Sequence, residues 1–176
     1  MVIVALDVGS VRIGVAVCDE LEQIATPHAT IRRTSNAAAR DAIARVVAET
    51  GAELLVIGLP VSYDGQLHEQ ARSVLAFGRK LQGRLSVPMV YADETLSSVR
   101  AEEALRAAGM RPERIRERID AAAAALILRD YLDTRRVVNV EALLRPPLDA
   151  GTAAPLPSAG DIQERTGTEE EGMAEG

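Results

Sequence analysis

Aromatic side chains are nearly missing from this chain: its 176 residues include no Trp, one Phe and three Tyr. A core must therefore be built from Ala, Val, Leu and Ile, which the 47% hydrophobic content supplies. Cysteine is down to Cys18, which excludes an internal disulfide and fits a reducing compartment. With only two His beside it, a structural zinc site lacks ligands. No apolar run reaches the roughly 20 residues of a membrane span. The opening MVIVALDVG has no basic segment before its apolar run and carries an Asp inside it, unlike a secretory signal. The expectation is a cytoplasmic protein without membrane contact: one compact domain plus an appendage.

Lysine is almost absent too. Lys80 is the single one, so the remaining cations are arginines. The net charge of −6 is the wrong sign for a nucleic-acid partner, but its distribution is uneven. Residues 150–176 carry Asp161, Glu164, Glu169, Glu170, Glu171 and Glu175 against Arg165, so five of the six net negative charges sit there. The arginines of the body cluster at 32–33, at 111, 114, 116 and 118, and at 135–136. Guanidinium forks match phosphate oxygens. The same clusters also suit solvated helix faces.

What is present is a clear alternation of elements. Residues 2–8 read as a strand ending in a turn at Asp7-Val8-Gly9-Ser10. Residues 12–19 (RIGVAVCD) read as its hairpin partner, and 28–33 as a shorter third strand. Residues 36–50 form a helix capped by Ser35 or Asn36 and stopped by Gly51. Residues 53–58 (ELLVIG) are apolar enough for a central strand of a covered sheet. A second helix is expected over 66–84, a fifth strand over 87–91 running to Asp93-Glu94, a third helix over 95–108, and a last helix over 119–132. A short Arg-rich turn opened by Pro112 precedes that last helix. The order predicts an α/β fold with a mixed five-stranded sheet: a three-stranded antiparallel meander plus two parallel strands, flanked by helices. Residues 1–145 would form this domain. Residues 146–176, rich in Pro, Gly and Glu, read as a disordered acidic tail.

Three acids sit where acids are costly. Asp7 ends an apolar strand, Glu94 follows another, and Asp120 begins an apolar helix. If the first, fourth and fifth strands lie side by side and parallel, Asp7 and Glu94 emerge at one sheet edge. The last helix, packed back there, adds Asp120. Three converging carboxylates need a cation, and hard oxygen ligands select Mg²⁺ or Mn²⁺. Two such ions would suit phosphodiester hydrolysis. Each acid also has a plainer reading: Asp7 as a turn residue, Glu94 as a first-turn helix acid, Asp120 as a helix N-cap.

The blocks Asp7-Val8-Gly9-Ser10-Val11-Arg12-Ile13-Gly14, Gly58-Leu59-Pro60 with Asp64-Gly65, Asp93-Glu94 with Leu96-Ser97-Ser98, and Ile119-Asp120-Ala121 through Leu132 occur in this order over residues 1–136. Together they resemble the YqgF family, the RuvX-like nucleases associated with Holliday junctions and pre-16S rRNA. The resemblance implies an RNase H-like fold, a two-ion Mg²⁺ or Mn²⁺ site and a part in ribosomal RNA maturation. It carries the catalytic and metal-binding roles onto Asp7, Glu94 and Asp120. Thr95 stands where the family often has Arg, a departure that bears on one candidate phosphate contact and not on the metal site, and Cys18 stands where Ser is common.

Arg12 fits either a carboxylate or a phosphate partner. Arg111, Arg114, Arg116 and Arg118 adjoin Asp120 and form the candidate backbone-binding patch. Asp93 should point away from a site that Glu94 faces. The expected partners are precursor rRNA, DNA or both, with the ribosomal subunit, for a monomer or dimer. The competing function is a nucleic-acid-binding factor without cleavage, in transcription or ribosome assembly. An actin-like ATP-binding domain also opens on an Asp-x-Gly hairpin, but needs a second, similar subdomain that this chain lacks.

Overall fold

The computed structural model describes residues 1–61, 67–94, 107 and 112–144, with the side chains of 112–117 excepted. The expected helix over 95–108, the Asp64-Gly65 turn, Arg111 and the tail from Pro146 lie outside the described residues.

The described elements are β1 (Ile3–Val8), β2 (Arg12–Cys18), β3 (Ala25–Arg32), α1 (Asn36–Thr50), β4 (Leu54–Leu59), α2 (Glu69–Gln82), β5 (Met89–Asp93), α3 (Pro112–Thr134) and α4 (Val140–Leu144). The strands form one sheet in the order β3-β2-β1-β4-β5. β1 pairs antiparallel with β2 and parallel with β4, and β4 pairs parallel with β5. This is the expected meander with two parallel strands added.

Alternation along the strands builds two cores. Val4, Leu6 and Val8 of β1 face α1 and α2, where Ile43, Val47, Val74, Leu75, Phe77 and Leu81 are buried. Ile3 and Ala5 face α3, against Ala124, Ala125, Ile127, Leu128 and Tyr131. The alanine run of α3 lets its backbone lie close across β1, β2 and β3. Ser35 caps α1 by accepting from the Ala38 N–H at 3.1 Å, and Gly51 ends it in the left-handed conformation at φ 64°. Among the described residues no helix is long and apolar enough to cross a membrane.

Three expectations need correction. β3 begins at Ala25 rather than at residue 28, with Pro27 inside it. Proline is tolerated there because β3 is an edge strand, where one side of the ladder is unused. The Arg-rich stretch after Pro112 is the start of α3 and not a separate turn. Proline suits a first helical position, where its missing N–H would have had no partner. Asp120 therefore lies inside α3 rather than at its start, which removes the N-cap reading. The short α4 was not expected. Asn139 caps it, its Oδ1 accepting from the Ala142 N–H at 3.1 Å.

Candidate active site

Asp7 has the same strand parity as Ile3 and Ala5, so it lies on the α3 face of the sheet. Its partner across the antiparallel pair is Gly14. Gly58 of β4 follows Ile57, the parallel partner of Leu6, so it sits on the other side of Asp7. Asp7 thus stands between two positions that carry no side chain. Both gaps are used. A Cβ at Gly14 would collide with the backbone carbonyl of Asp120. A Cβ at Gly58 would come within 2.5 Å of the Ile127 Cδ1 and 3.1 Å of the Glu94 Oε2. Glycine in mid-strand marks such a close approach.

Glu94 extends the β4–β5 ladder by one residue, its N–H donating to the Leu59 carbonyl at 3.1 Å. It shares the parity of Ala92, which is buried on the α3 side, and is half-buried. Asp93 has the opposite parity and is exposed. Asp120 arrives from α3, where its carboxylate meets Arg12: the Nε donates to Oδ2 at 2.5 Å. Sheet and helix thus bring together residues 7, 94 and 120.

The electrostatics agree with that grouping. Burial pushes the Asp7 carboxyl up to about 6, and the nearby negative charge of Asp120 adds to the rise. A hydrogen bond with the Glu94 carboxyl pulls the other way. Asp7 is therefore a partly buried acid beside two others. Arg12 partly compensates Asp120. Among the described residues, no three Asp, Glu, His or Cys side chains are gathered closely enough to enclose a metal ion together. Of the three, Asp120 is held by an arginine, Arg12. The donor set still suits a hard divalent cation, because all three groups offer oxygens and the raised Asp7 pKa is the mark of an uncompensated charge.

Other candidates fall where helix geometry puts them. Arg118 is exposed and lies two residues before Asp120, hence on a different side of α3. Arg114 and Arg116 belong to α3, but their side chains, like Arg111 as a whole, lie outside the description. The far end of α3 is tied down separately. Glu22 pairs with Arg135 and accepts from the Met1 ammonium at 3.1 Å, and these partners hold its carboxyl below the usual range. Gly58 was not singled out from sequence as a site residue. The available signal was a lone glycine among the β-branched and leucine residues of ELLVIG.

Comparison with known proteins gives a consistent result. The family model described as RuvX, Holliday junction resolvase, matches residues 1–134. A protein of Chloroflexus aurantiacus named "Putative pre-16S rRNA nuclease" is 44% identical over 135 residues, 77% of this chain and 88% of its own length. A protein of the same name from Thermosynechococcus vestitus is 43% identical over 133 residues, covering 76% and 88%. Among solved structures, T. thermophilus RuvC in complex with a Holliday junction substrate superposes with a TM-score of 0.51 at 18% identity, over 78% of this chain and 99% of that one. A second Thermus thermophilus RuvC structure gives 0.50 at 15%, over 78% and 98%. The fold is RNase H-like, as RuvC resolvases are.

Proposed function

The chain belongs to the RuvX family, and on that premise we propose that it cleaves precursor 16S ribosomal RNA near its 5′ end, with Asp7, Glu94 and Asp120 as the catalytic, metal-holding acids. It is a nuclease, a hydrolase of phosphodiester bonds. One observation carries the assignment of the site. Three acids from distant parts of the sequence share one face of the sheet, around a floor cleared by Gly14 and Gly58. The raised pKa of the partly buried Asp7, about 6, supports the reading, because acids perturbed in this way cluster at functional sites.

When bound, two Mg²⁺ or Mn²⁺ ions would activate a water and stabilise the leaving oxygen of the phosphodiester. Asp7 and Glu94, already in contact, would hold them from the sheet, and Asp120 would join from α3. Arg12 orients the Asp120 carboxylate through its Nε. Once Asp120 is engaged, its guanidinium fork is free for a phosphate oxygen. Arg111, Arg114, Arg116 and Arg118 would steer the backbone toward this end of α3. RNA trimming needs one copy of the chain, whereas cutting both strands of a junction needs a symmetric pair. The place of action is then the cytoplasm, on RNA associated with the small ribosomal subunit.

The test is incubation with labelled single-stranded RNA, duplex DNA and a four-way junction, each with Mn²⁺, Mg²⁺ or EDTA, beside Asp7→Asn. Metal-dependent cleavage of RNA that the variant lacks supports the reading. Cleavage of the junction alone moves the substrate to branched DNA. Binding without cleavage under every metal makes the chain a non-catalytic factor.

A further inference from the structure

Opposite the α3 face, an open cleft of about 650 Å³ lies between the end of β1 and the first turns of α2. Gly9, Ser10, Arg33, His68, Gln70 and Ser73 line it. Apart from Val8 and Val74 in its floor the wall is polar, and its one acid, Glu69, is exposed.

Arg33 is fixed on three sides. Its Nη1 donates to the Gly9 carbonyl at 2.8 Å, its Nε donates to the Asn36 Oδ1 at 2.8 Å, and its guanidinium carbon stands 4.9 Å from the centre of the Phe77 ring. Arg40 approaches the same ring at 6.0 Å, and its Nε is buried without a hydrogen-bond partner. Two guanidiniums thus share the chain's single Phe, and neither is in an ion pair among the described residues. A cation held by a carbonyl, an amide and a ring keeps its full charge and is oriented before any ligand arrives. That is the arrangement a phosphate-binding arginine needs.

The position matters as much as the charge. Arg33 holds the carbonyl of Gly9, which is two residues beyond Asp7 on the same strand end. Two extended residues span about 7 Å, roughly one phosphate-to-phosphate step along a single strand. A strand whose scissile phosphate lies at Asp7, and which passes over the Gly9-Ser10 end of β1, would bring the adjacent phosphate to this cleft.

We propose that the cleft between Gly9-Ser10, Arg33 and the start of α2 holds a backbone phosphate of the nucleic-acid strand beside the one being cut. This rests on the nuclease reading for the identity of the strand, while its test reads binding alone. The catalytically silent Asp7→Asn chain is titrated with labelled single-stranded RNA over a range of salt concentrations, with and without Arg33→Gln. The expected result is about tenfold weaker binding and a salt dependence shallower by about one phosphate contact. Because Arg33→Gln also loosens the Gly9 turn, Ser73→Glu is the second probe. It adds a negative charge to the exposed wall of α2, where Ser73 has no side-chain hydrogen bond among the described residues, and should weaken binding in the same direction. Unchanged affinity and salt dependence in both variants overturn the proposal, even where the wild type cleaves RNA. Competitive inhibition of the wild type by a nucleoside monophosphate, lost in Arg33→Gln, would assign the cleft to free product and overturn it equally. A wild type that binds as proposed but never cleaves leaves this cleft standing and sinks the nuclease reading.

Discussion

The backbone carbonyl of Asp120 occupies the space where Gly14 would carry a side chain. The contact sets how closely α3 approaches the sheet, and therefore where the third acid stands relative to Asp7, the cross-strand partner of Gly14.

Gly14→Ala must push away a helix backbone, not a flexible side-chain tip. The cost should be about 1–3 kcal/mol of stability. Cleavage should fall further, about 100-fold, because misplacing a catalytic group by an ångström is expensive. Thermal melts beside kcat measurements check this, and an active Gly14→Ala enzyme would show that α3 need not sit so close.

Asp7→Asn should abolish cleavage and yet stabilise the metal-free protein at neutral pH. The Asp7 carboxyl is raised from 3.8 to about 6, so the folded chain holds its proton where the unfolded chain has lost it. Stability from this group is therefore full below pH 4 and drains away as pH rises from 4 to 6. Asparagine never acquires the charge. In EDTA at pH 8 it should be more stable than wild type by on the order of 1–3 kcal/mol, and at pH 4 it should match it. Equal denaturation midpoints at pH 8 would contradict the assignment of a buried, uncompensated Asp7.

Arg12→Gln removes the partner of Asp120 from a half-exposed ion pair. The stability loss should stay within about 1 kcal/mol. The loss in kcat/KM should be larger, about tenfold, and Arg12→Lys should restore it poorly because an ammonium lacks the fork. If both variants cleave like wild type, Arg12 has no part in the reaction.

Cys18 is buried, and burial raises its thiol pKa. Its Sγ accepts from the Ile3 N–H at 3.2 Å and donates to the Met1 carbonyl at 3.6 Å. A disulfide reagent at pH 8 should titrate no thiol in the native protein and one after unfolding in guanidinium. Rapid native labelling would place Cys18 at the surface.

We propose that residues 146–176 are dispensable for the domain. A chain ending at Arg145 should melt at the same temperature and bind nucleic acid somewhat more tightly at low salt, since six net negative charges, Asp149 included, leave with residues 146–176. A fall in the melting temperature of several degrees would mean that the tail packs on the domain.

Much of the sheet is legible in the sequence, because β1, β2 and β4 are β-branched runs with clear ends. The parallel placement of β1, β4 and β5 follows from their order, and with it the convergence of Asp7 and Glu94. What escapes is tertiary. The start of α3 reads as a turn because residues 112–118 show charge without an apolar stripe. β3 is cut short on paper because Pro27 breaks a strand only where both ladders are in use. The meaning of Gly58 depends on strand register, which no single segment encodes. Arg33 reads in the sequence only as half of the 32–33 cluster, and its meeting with Arg40 at Phe77 depends on how α2 packs.

A chain made from its N-terminus acquires Asp7 first, Glu94 just past half-way, and Asp120 only with α3. Because α3 covers β1, β2 and β3, it docks after the sheet is assembled. If the three acids act together as proposed, a chain still being made lacks the full carboxylate set until α3 has docked.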